Sequence, residues 1–295
     1  MSIFKGAATA LVTPFKNGVI DFEKYGELID WQISENIDAL VVAGTTGEAS
    51  TLNDIEHRAL MKYAVDKINK RVPVILGTGS NDTMHCLELS RYARDIGADA
   101  LLLVTPYYNK TTQTGIIKHY TYIADRVDLP LIMYNVPSRT GFCISVNSAV
   151  ELSKHHNIAG LKEASGNISY IADIRSKAAD DFDIYSGNDD MIVPVLSLGG
   201  KGVISVLSNV MPKQTHSMVM DYLNGDIYSA MIMQLKLYDF ISALFIETNP
   251  IPVKTCLNLL GCDVGDLRLP LCEMEEKNKK VLIEKMHGLG LEISI

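Results

Sequence analysis

Lys162 directly follows the apolar run Ile158–Leu161 in the stretch NIAGLKEASG (residues 157–166). A lone lysine at a strand end is ordinarily a solvated surface group. A lysine held in a dry pocket loses its proton more readily, because burial disfavours the charged form. The neutral amine can then add to a ketone and form a Schiff base. Other groups with useful chemistry stand at comparable places. GTTGE (44–48) supplies the hydroxyls of Thr45 and Thr46 and the backbone N–H groups of a tight turn, a cradle suited to a carboxylate. It equally suits an ordinary strand-to-helix turn in which Glu48 starts the helix. TPYYN (105–109) carries Tyr107 and Tyr108, whose side chains diverge, so at most one enters a given site. YNVPSRTG (134–141) carries Tyr134 in an apolar strand and Arg139 in a loop. A phenol beside an imine nitrogen suits proton transfer, and a guanidinium suits two-pronged capture of a carboxylate. Core packing for the first and solvation for the second are the competing readings. SGND (186–189), with Gly187, completes the set.

These residues need a scaffold that brings them together. Short apolar runs recur at 6–14, 39–44, 73–79, 99–106, 130–137, 158–163, 183–189 and 202–206. Helical patterns lie between them. One spans 21–36, with Asp21 able to cap it and Tyr25, Leu28 and Ile29 on one face. Another spans 53–70, with Ile55, Ala59, Met61 and Tyr63 inside it; a third starts at 82 and ends at Gly97; Asn167 can cap a fourth. Strand–helix alternation predicts parallel strands joined by crossovers. Eight such units fit an α/β fold, a (β/α)8 TIM barrel, over residues 1–225. A doubly wound sheet is the alternative, but it would carry a glycine-rich first turn, and GTGSN (77–81) has only two of the three glycines of a dinucleotide fingerprint. After about residue 225 the alternation stops. Met231, Leu235, Tyr238, Ile241 and Phe245 fall at helical spacing, and 250–261 and 275–290 are further helix candidates. The expectation is a small C-terminal helical domain over 226–295 whose apolar stripe serves packing.

In such a barrel the ends of the second, fourth, fifth, sixth and seventh strands converge on one mouth, where active sites are built. That geometry moves Lys162 from surface group toward nucleophile. LGGKG (198–202) precedes the eighth strand, so it lies at the opposite end, and no phosphorylated substrate is expected.

The bulk numbers bound the function. The net charge of −8 and pI near 5.4 argue against a nucleic-acid partner or an anionic membrane surface. No apolar run approaches the roughly 18 residues of a membrane helix. The start, MSIFKGAATALVTPF, lacks a basic region before a continuous apolar core and does not read as a signal peptide. Five scattered cysteines without a CxxC suit reduced thiols in a cytoplasmic protein. No metal signature occurs among the seven histidines. The adjacent rings of His155 and His156 are expected to diverge at a solvated helix end.

GTTGE, VTPYYNK, YNVPSRTG, IAGLKEASGN and GVISV, in that order, resemble the dihydrodipicolinate synthase and N-acetylneuraminate lyase superfamily of class I aldolases, and the resemblance covers nearly the whole chain. Arg139 after the serine is similar to the synthase branch, whose second substrate is aspartate semialdehyde. The resemblance implies Schiff-base condensation of pyruvate with L-aspartate 4-semialdehyde to 4-hydroxy-tetrahydrodipicolinate, the entry to diaminopimelate and lysine. It implies that Lys162 forms the Schiff base, that Tyr134 is acid and base, and that Thr45 and Tyr108 complete a proton relay. It also implies that Thr46, helped by the backbone of Ile204, holds the pyruvate carboxylate, that Gly187 borders the substrate, and that Arg139 takes the second carboxylate. No metal and no organic cofactor are implied. Tyr108 is implied to reach a neighbouring subunit's site, in a tight dimer within a homotetramer. A lysine-binding regulatory pocket would correspond to Ala49, Ser50, Asp54, His57, Asn81, His85 and Tyr107. Here His85 stands where inhibited relatives have a glutamate, and Asp54 where a histidine is usual, so weak or absent inhibition by L-lysine is expected. A pyruvate aldolase acting on a sugar acid, and a barrel that only binds, are the alternatives; Arg139 speaks against the first, and Lys162, Tyr134 and Thr45 against the second.

Overall fold

A computed structural model describes residues 2–294. Eight parallel strands close into a barrel: β1 (Gly6–Ala10), β4 (Ala39–Val42), β5 (Val74–Gly77), β6 (Ala100–Val104), β7 (Leu131–Asn135), β8 (Ile158–Glu163), β9 (Asp183–Ser186) and β10 (Gly202–Ser205), each pairing with the next and β10 with β1. The strands read as unbroken apolar runs because both faces are covered. One face meets the helices: Leu40, Leu101, Met133 and Leu161 belong to the large outer core. The other fills the barrel: Ala8, Val41, Ile75, Leu102, Ile132 and Ile204 form a separate inner cluster. Near β1's start the interior is closed by Phe4 stacked on Tyr185, ring centroids 4.3 Å apart, with the Tyr185 hydroxyl donating to the Phe4 carbonyl at 3.0 Å.

Helices α1 (Phe22–Ser34), α2 (Asp54–Ile68), α3 (Thr83–Asp95), α4 (Gln113–Ala124), α5 (Pro137–Thr140), α6 (Val146–Leu152), α7 (Ile168–Arg175), α8 (Ile192–Ser197) and α9 (Pro212–Leu223) lie between and after the strands. Their starts follow local chemistry. Asp21 caps α1 and Asn167 caps α7, as their positions suggested, and Asn53 forms a capping box with Glu56 on α2. A short hairpin, β2 (Phe15–Lys16) and β3 (Val19–Ile20), sits on the mouth side of β1. Then come α10 (Ile227–Leu244), α11 (Ile251–Leu259) and α12 (Glu276–Gly288).

Three expectations need correction. On α2 the buried face is His57, Leu60, Met61, Ala64 and Ile68, so of the four residues named Met61 is buried, Tyr63 half-buried and Ile55 and Ala59 exposed. On α10 the stripe of Met231, Leu235, Tyr238 and Phe245 faces outward, and only Ile241 of that set is buried. Ala230, Leu237, Phe240 and Leu244 supply the inward face instead. The helix is apolar nearly all round, so periodicity alone does not choose its buried side. His155 and His156 lie beyond the end of α6, where helical divergence no longer applies, and their rings stack 4.7 Å apart.

Candidate active site

Period-two alternation decides which side chains of β7 and β8 enter the barrel. Ile132 and Tyr134 point inward, while Leu131 and Met133 join the outer core. Tyr134 and Lys162 are direct partners across the β7–β8 pair, so amine and phenol arrive on the same face. Lys162 Nζ lies 4.3 Å from the centroid of the Tyr134 ring.

Burial sets the electrostatics. Lys162 is 6% exposed. Burial pulls its amine down from 10.5 to about 7, with the Asp189 carboxylate opposing and the Arg139 guanidinium assisting. The ring face favours an ammonium, but desolvation outweighs it. Burial also raises the Tyr134 phenol, against the pull of Arg139 and Thr45. The adjacent Glu163 is buried and raised by desolvation; it accepts from Asn135 Nδ2 at 2.7 Å and Ser165 N at 2.5 Å, fixing the loop after Lys162.

Glu48 does not start the long helix that follows the GTTGE turn; it heads a single 3-10 turn, Ala49–Thr51. Ala43 and Glu48 both take left-handed backbone conformations (φ 55° and 54°), which cost a non-glycine residue about 1–3 kcal/mol each and persist only where surroundings enforce them. The enforcing contacts are plain. Thr13 donates to the Gly47 carbonyl at 2.7 Å, and Glu48 Oε1 accepts from Lys254 Nζ at 2.9 Å in a fully buried pair. α2 begins only at Asp54. Thr46 is buried, and its Oγ1 accepts from Asn249 Nδ2 at 2.9 Å. Arg139, on the single turn α5, donates from Nη2 to the Asn249 carbonyl at 2.9 Å.

A cavity of roughly 470 Å³ opens at this end. Thr45, Tyr134 and Arg139 line it, as do Ala49, Ser50, Asp54, His57, His85 and Tyr107. Lys162, Thr46, Gly187, Ile204, Tyr108 and Asn81 are not among its lining. Of the two tyrosines, Tyr107 faces the cavity, while Tyr108 is 92% exposed and has φ 64°. Ile204 points into the barrel from β10. Gly187 is forced by packing, since a Cβ there would stand 2.7 Å from that of Ala164. Asn81 uses its carbonyl to accept from Asn109 Nδ2 at 3.0 Å. His57 Nε2 lies 3.0 Å from the Gly77 carbonyl, and burial lowers the ring's pKa. Asp54 Oδ1 sits 3.7 Å from His85 Nε2.

Three residues near this mouth have no role in the sequence reading. Asp189, the last residue of SGND, is buried; its Oδ2 accepts from Val206 N and Leu207 N at 3.0 and 2.9 Å. Its Oδ1 has no partner among the described residues, and burial raises its pKa. Asn249 and Lys254 come from the segment after the barrel and meet partners more than 200 positions away. No local pattern could have signalled them.

A closed parallel barrel that carries a desolvated amine, a phenol and a guanidinium at the carboxyl ends of its strands has the build of an imine-forming lyase. The pattern of the Dihydrodipicolinate synthetase family matches residues 3–287, and the chain belongs to that family. It is 52% identical over 289 residues to the 4-hydroxy-tetrahydrodipicolinate synthase of Acetivibrio thermocellus, covering 98% of each chain. It superposes on the crystal structure of dihydrodipicolinate synthase from Aquifex aeolicus with a TM-score of 0.97 at 41% identity, covering 99% of this chain and 100% of that one. It also superposes on a structure described as the first monomeric dihydrodipicolinate synthase variant, with a TM-score of 0.96 at 43% identity, covering 98% of each.

Proposed function

We propose that this chain condenses pyruvate with L-aspartate 4-semialdehyde to 4-hydroxy-tetrahydrodipicolinate, the first committed step toward diaminopimelate and lysine. The observation that carries the reading is the buried Lys162 amine over the Tyr134 ring, in a chain 52% identical to a synthase of that name. The neutral Lys162 amine adds to the ketone carbon of pyruvate, water leaves, and a proton delivered through Tyr134 gives the protonated imine. Loss of a methyl proton yields an enamine, whose carbon attacks the aldehyde. The amino group of the second substrate then attacks the imine carbon, closes the ring and releases Lys162. Tyr134 moves the protons, with Thr45 and Tyr108 as relay. Thr46 and the backbone at Ile204 hold the pyruvate carboxylate, beside Gly187, and Arg139 takes the other carboxylate. The lysine is the electron sink, so no metal or organic cofactor takes part. Residues 1–225 form the catalytic barrel and 226–295 a helical domain that braces it. The working form is a cytoplasmic homo-oligomer, a tetramer built as a dimer of dimers, in which the exposed Tyr108 serves a neighbour. The test is an assay of the purified protein with both substrates. Product formation is expected; none with this pair, alongside turnover of a pyruvate-derived sugar acid, overturns the reading.

Arg139→Lys isolates the second substrate. The lysine keeps the charge but loses the planar fork. Use of aspartate semialdehyde falls by the worth of a charge-assisted hydrogen bond, about 1.5–3 kcal/mol, while pyruvate still traps on Lys162. Steady-state kinetics equal to the parent's would refute the role.

L-lysine is expected to inhibit weakly or not at all. A bound ammonium needs a free carboxylate, and His85 supplies none. Asp54 faces His85, with Oδ1 3.7 Å from Nε2. An activity titration with L-lysine at saturating pyruvate checks this. Half-inhibition well below about 1 mM, equivalent to binding tighter than roughly −4 kcal/mol, and its loss on changing His57 or Tyr107, would show a working pocket.

A further inference from the structure

We infer that Asn249 is a positioning residue that sets the direction of the Thr46 hydroxyl proton and ties the Thr46 turn to Arg139. The inference rests on the function proposed above. Asn249 lies in the short link between α10 and α11, outside the barrel's own sequence, and is 6% exposed. Its side chain and its main chain serve different partners. Nδ2 donates to Thr46 Oγ1 at 2.9 Å, and the carbonyl accepts from Arg139 Nη2 at 2.9 Å. Thr46 follows β4 and Arg139 follows β7, so one residue holds two groups from separate strands.

The direction of the first bond matters. A threonine hydroxyl has one proton to give and can accept as well. Because Asn249 donates to it, Thr46 keeps its own O–H free for another acceptor. A carboxylate is an acceptor only, so a hydroxyl already satisfied as an acceptor is the form that receives one well. Asn249 Oδ1 is buried with no partner among the described residues, so the bond to Thr46 is the one side-chain hydrogen bond that the amide makes there.

Two substitutions separate this role from mere packing. Asn249→Asp keeps the shape but replaces the donor with an anionic acceptor. Thr46 must then donate to Asp and is withdrawn from the substrate. Asn249→Ala removes the donor and leaves a gap. The readout is the pyruvate concentration that half-saturates borohydride trapping on Lys162. The expected order is parent lowest, Asn249→Ala intermediate and Asn249→Asp highest, the last raised about tenfold or more, the scale of one charge-assisted hydrogen bond. In a Thr46→Val background, Asn249→Asp adds much less, because the hydroxyl it acts on is gone. A purely structural role gives the reverse order, with Asp mild and Ala severe, and that result overturns the inference. So does an effect of Asn249→Asp that is as large in Thr46→Val as in the parent. If Asn249→Asp fails to fold, Asn249→Ala alone decides: half-saturation within twofold of the parent refutes the role, and a clear rise that disappears in Thr46→Val supports it. A parent chain that traps no pyruvate overturns the proposed function, and this inference with it.

Discussion

Borohydride in the presence of pyruvate adds one three-carbon unit to the parent chain, at Lys162, and none to Lys162→Ala. Turnover of the variant falls by about 10⁴-fold or more, the scale on which deletion of a covalent nucleophile acts. Substituting alanine removes a partly desolvated amine, not a buried pair, so the barrel itself remains folded. The pH dependence of trapping gives a second check. Burial disfavours the ammonium, so the folded-state pKa lies below the ordinary lysine value of 10.5, at about 7. The neutral fraction therefore rises with pH up to about 7 and then levels. Below that the initial trapping rate drops roughly tenfold per pH unit, as for any single titrating base. An unperturbed lysine would keep gaining rate beyond pH 9. Mass spectrometry of the reduced adduct across pH measures this. An adduct that persists in Lys162→Ala, or a rate still climbing above pH 9, contradicts the assignment.

Lys254→Met strongly destabilises the fold, although Lys254 is not assigned to the chemistry. The Lys254–Glu48 pair is 1% and 0% exposed. Lys254 Nζ donates to Glu48 Oε1 at 2.9 Å, to the Thr13 carbonyl at 3.1 Å and to the Asp266 carbonyl at 2.6 Å. Glu48 Oε2 accepts from the Arg268 N–H at 3.1 Å. Removing one ion leaves the other buried without its counter-ion, at a cost of about 3–5 kcal/mol. Lys62 and Asp66 form an ion pair on the surface of α2, where solvent screening limits the worth to about 0–1 kcal/mol, so Lys62→Ala is the matched control. Denaturant midpoints compare the three proteins. Lys254→Met plus Glu48→Gln recovers part of the loss, since no bare charge remains. A Lys254→Met midpoint equal to that of Lys62→Ala would show that the pair does not brace the turn.

The barrel was legible because its signal is repetitive: eight apolar runs with helical patterns between them leave few topologies. The burial of Lys162 was legible because it follows an apolar run at the barrel mouth; that its in-register neighbour is Tyr134 emerges only from the β7–β8 pairing. The buried side of α10 was not legible, since its two faces are nearly equally apolar. Asn249 and Lys254 were hidden for a different reason. Their significance lies in contacts between the segment after the barrel and the turn after β4, and nothing within ten residues of either carries that information. Glu48 was readable two ways, as helix start or as part of a cradle, and the sequence could not show that a distant cation holds it at the head of a single 3-10 turn.

The Phe4–Tyr185 stack gives the barrel a floor. Tyr185 lies in register with Lys162 across the β8–β9 pair, and its hydroxyl reaches the Phe4 carbonyl at the strand starts. Under the proposed chemistry the reactants therefore enter from the opposite end, where the cavity opens. The keto acid must travel past the rim to meet the amine, and the aldehyde follows it through the same opening. An aldehyde that arrives first stands in the keto acid's way without anything to react with. Under the proposed chemistry the expected result of a dead-end vessel is therefore a compulsory order, with inhibition when the second reactant outnumbers the first; initial rates measured across both concentrations check it.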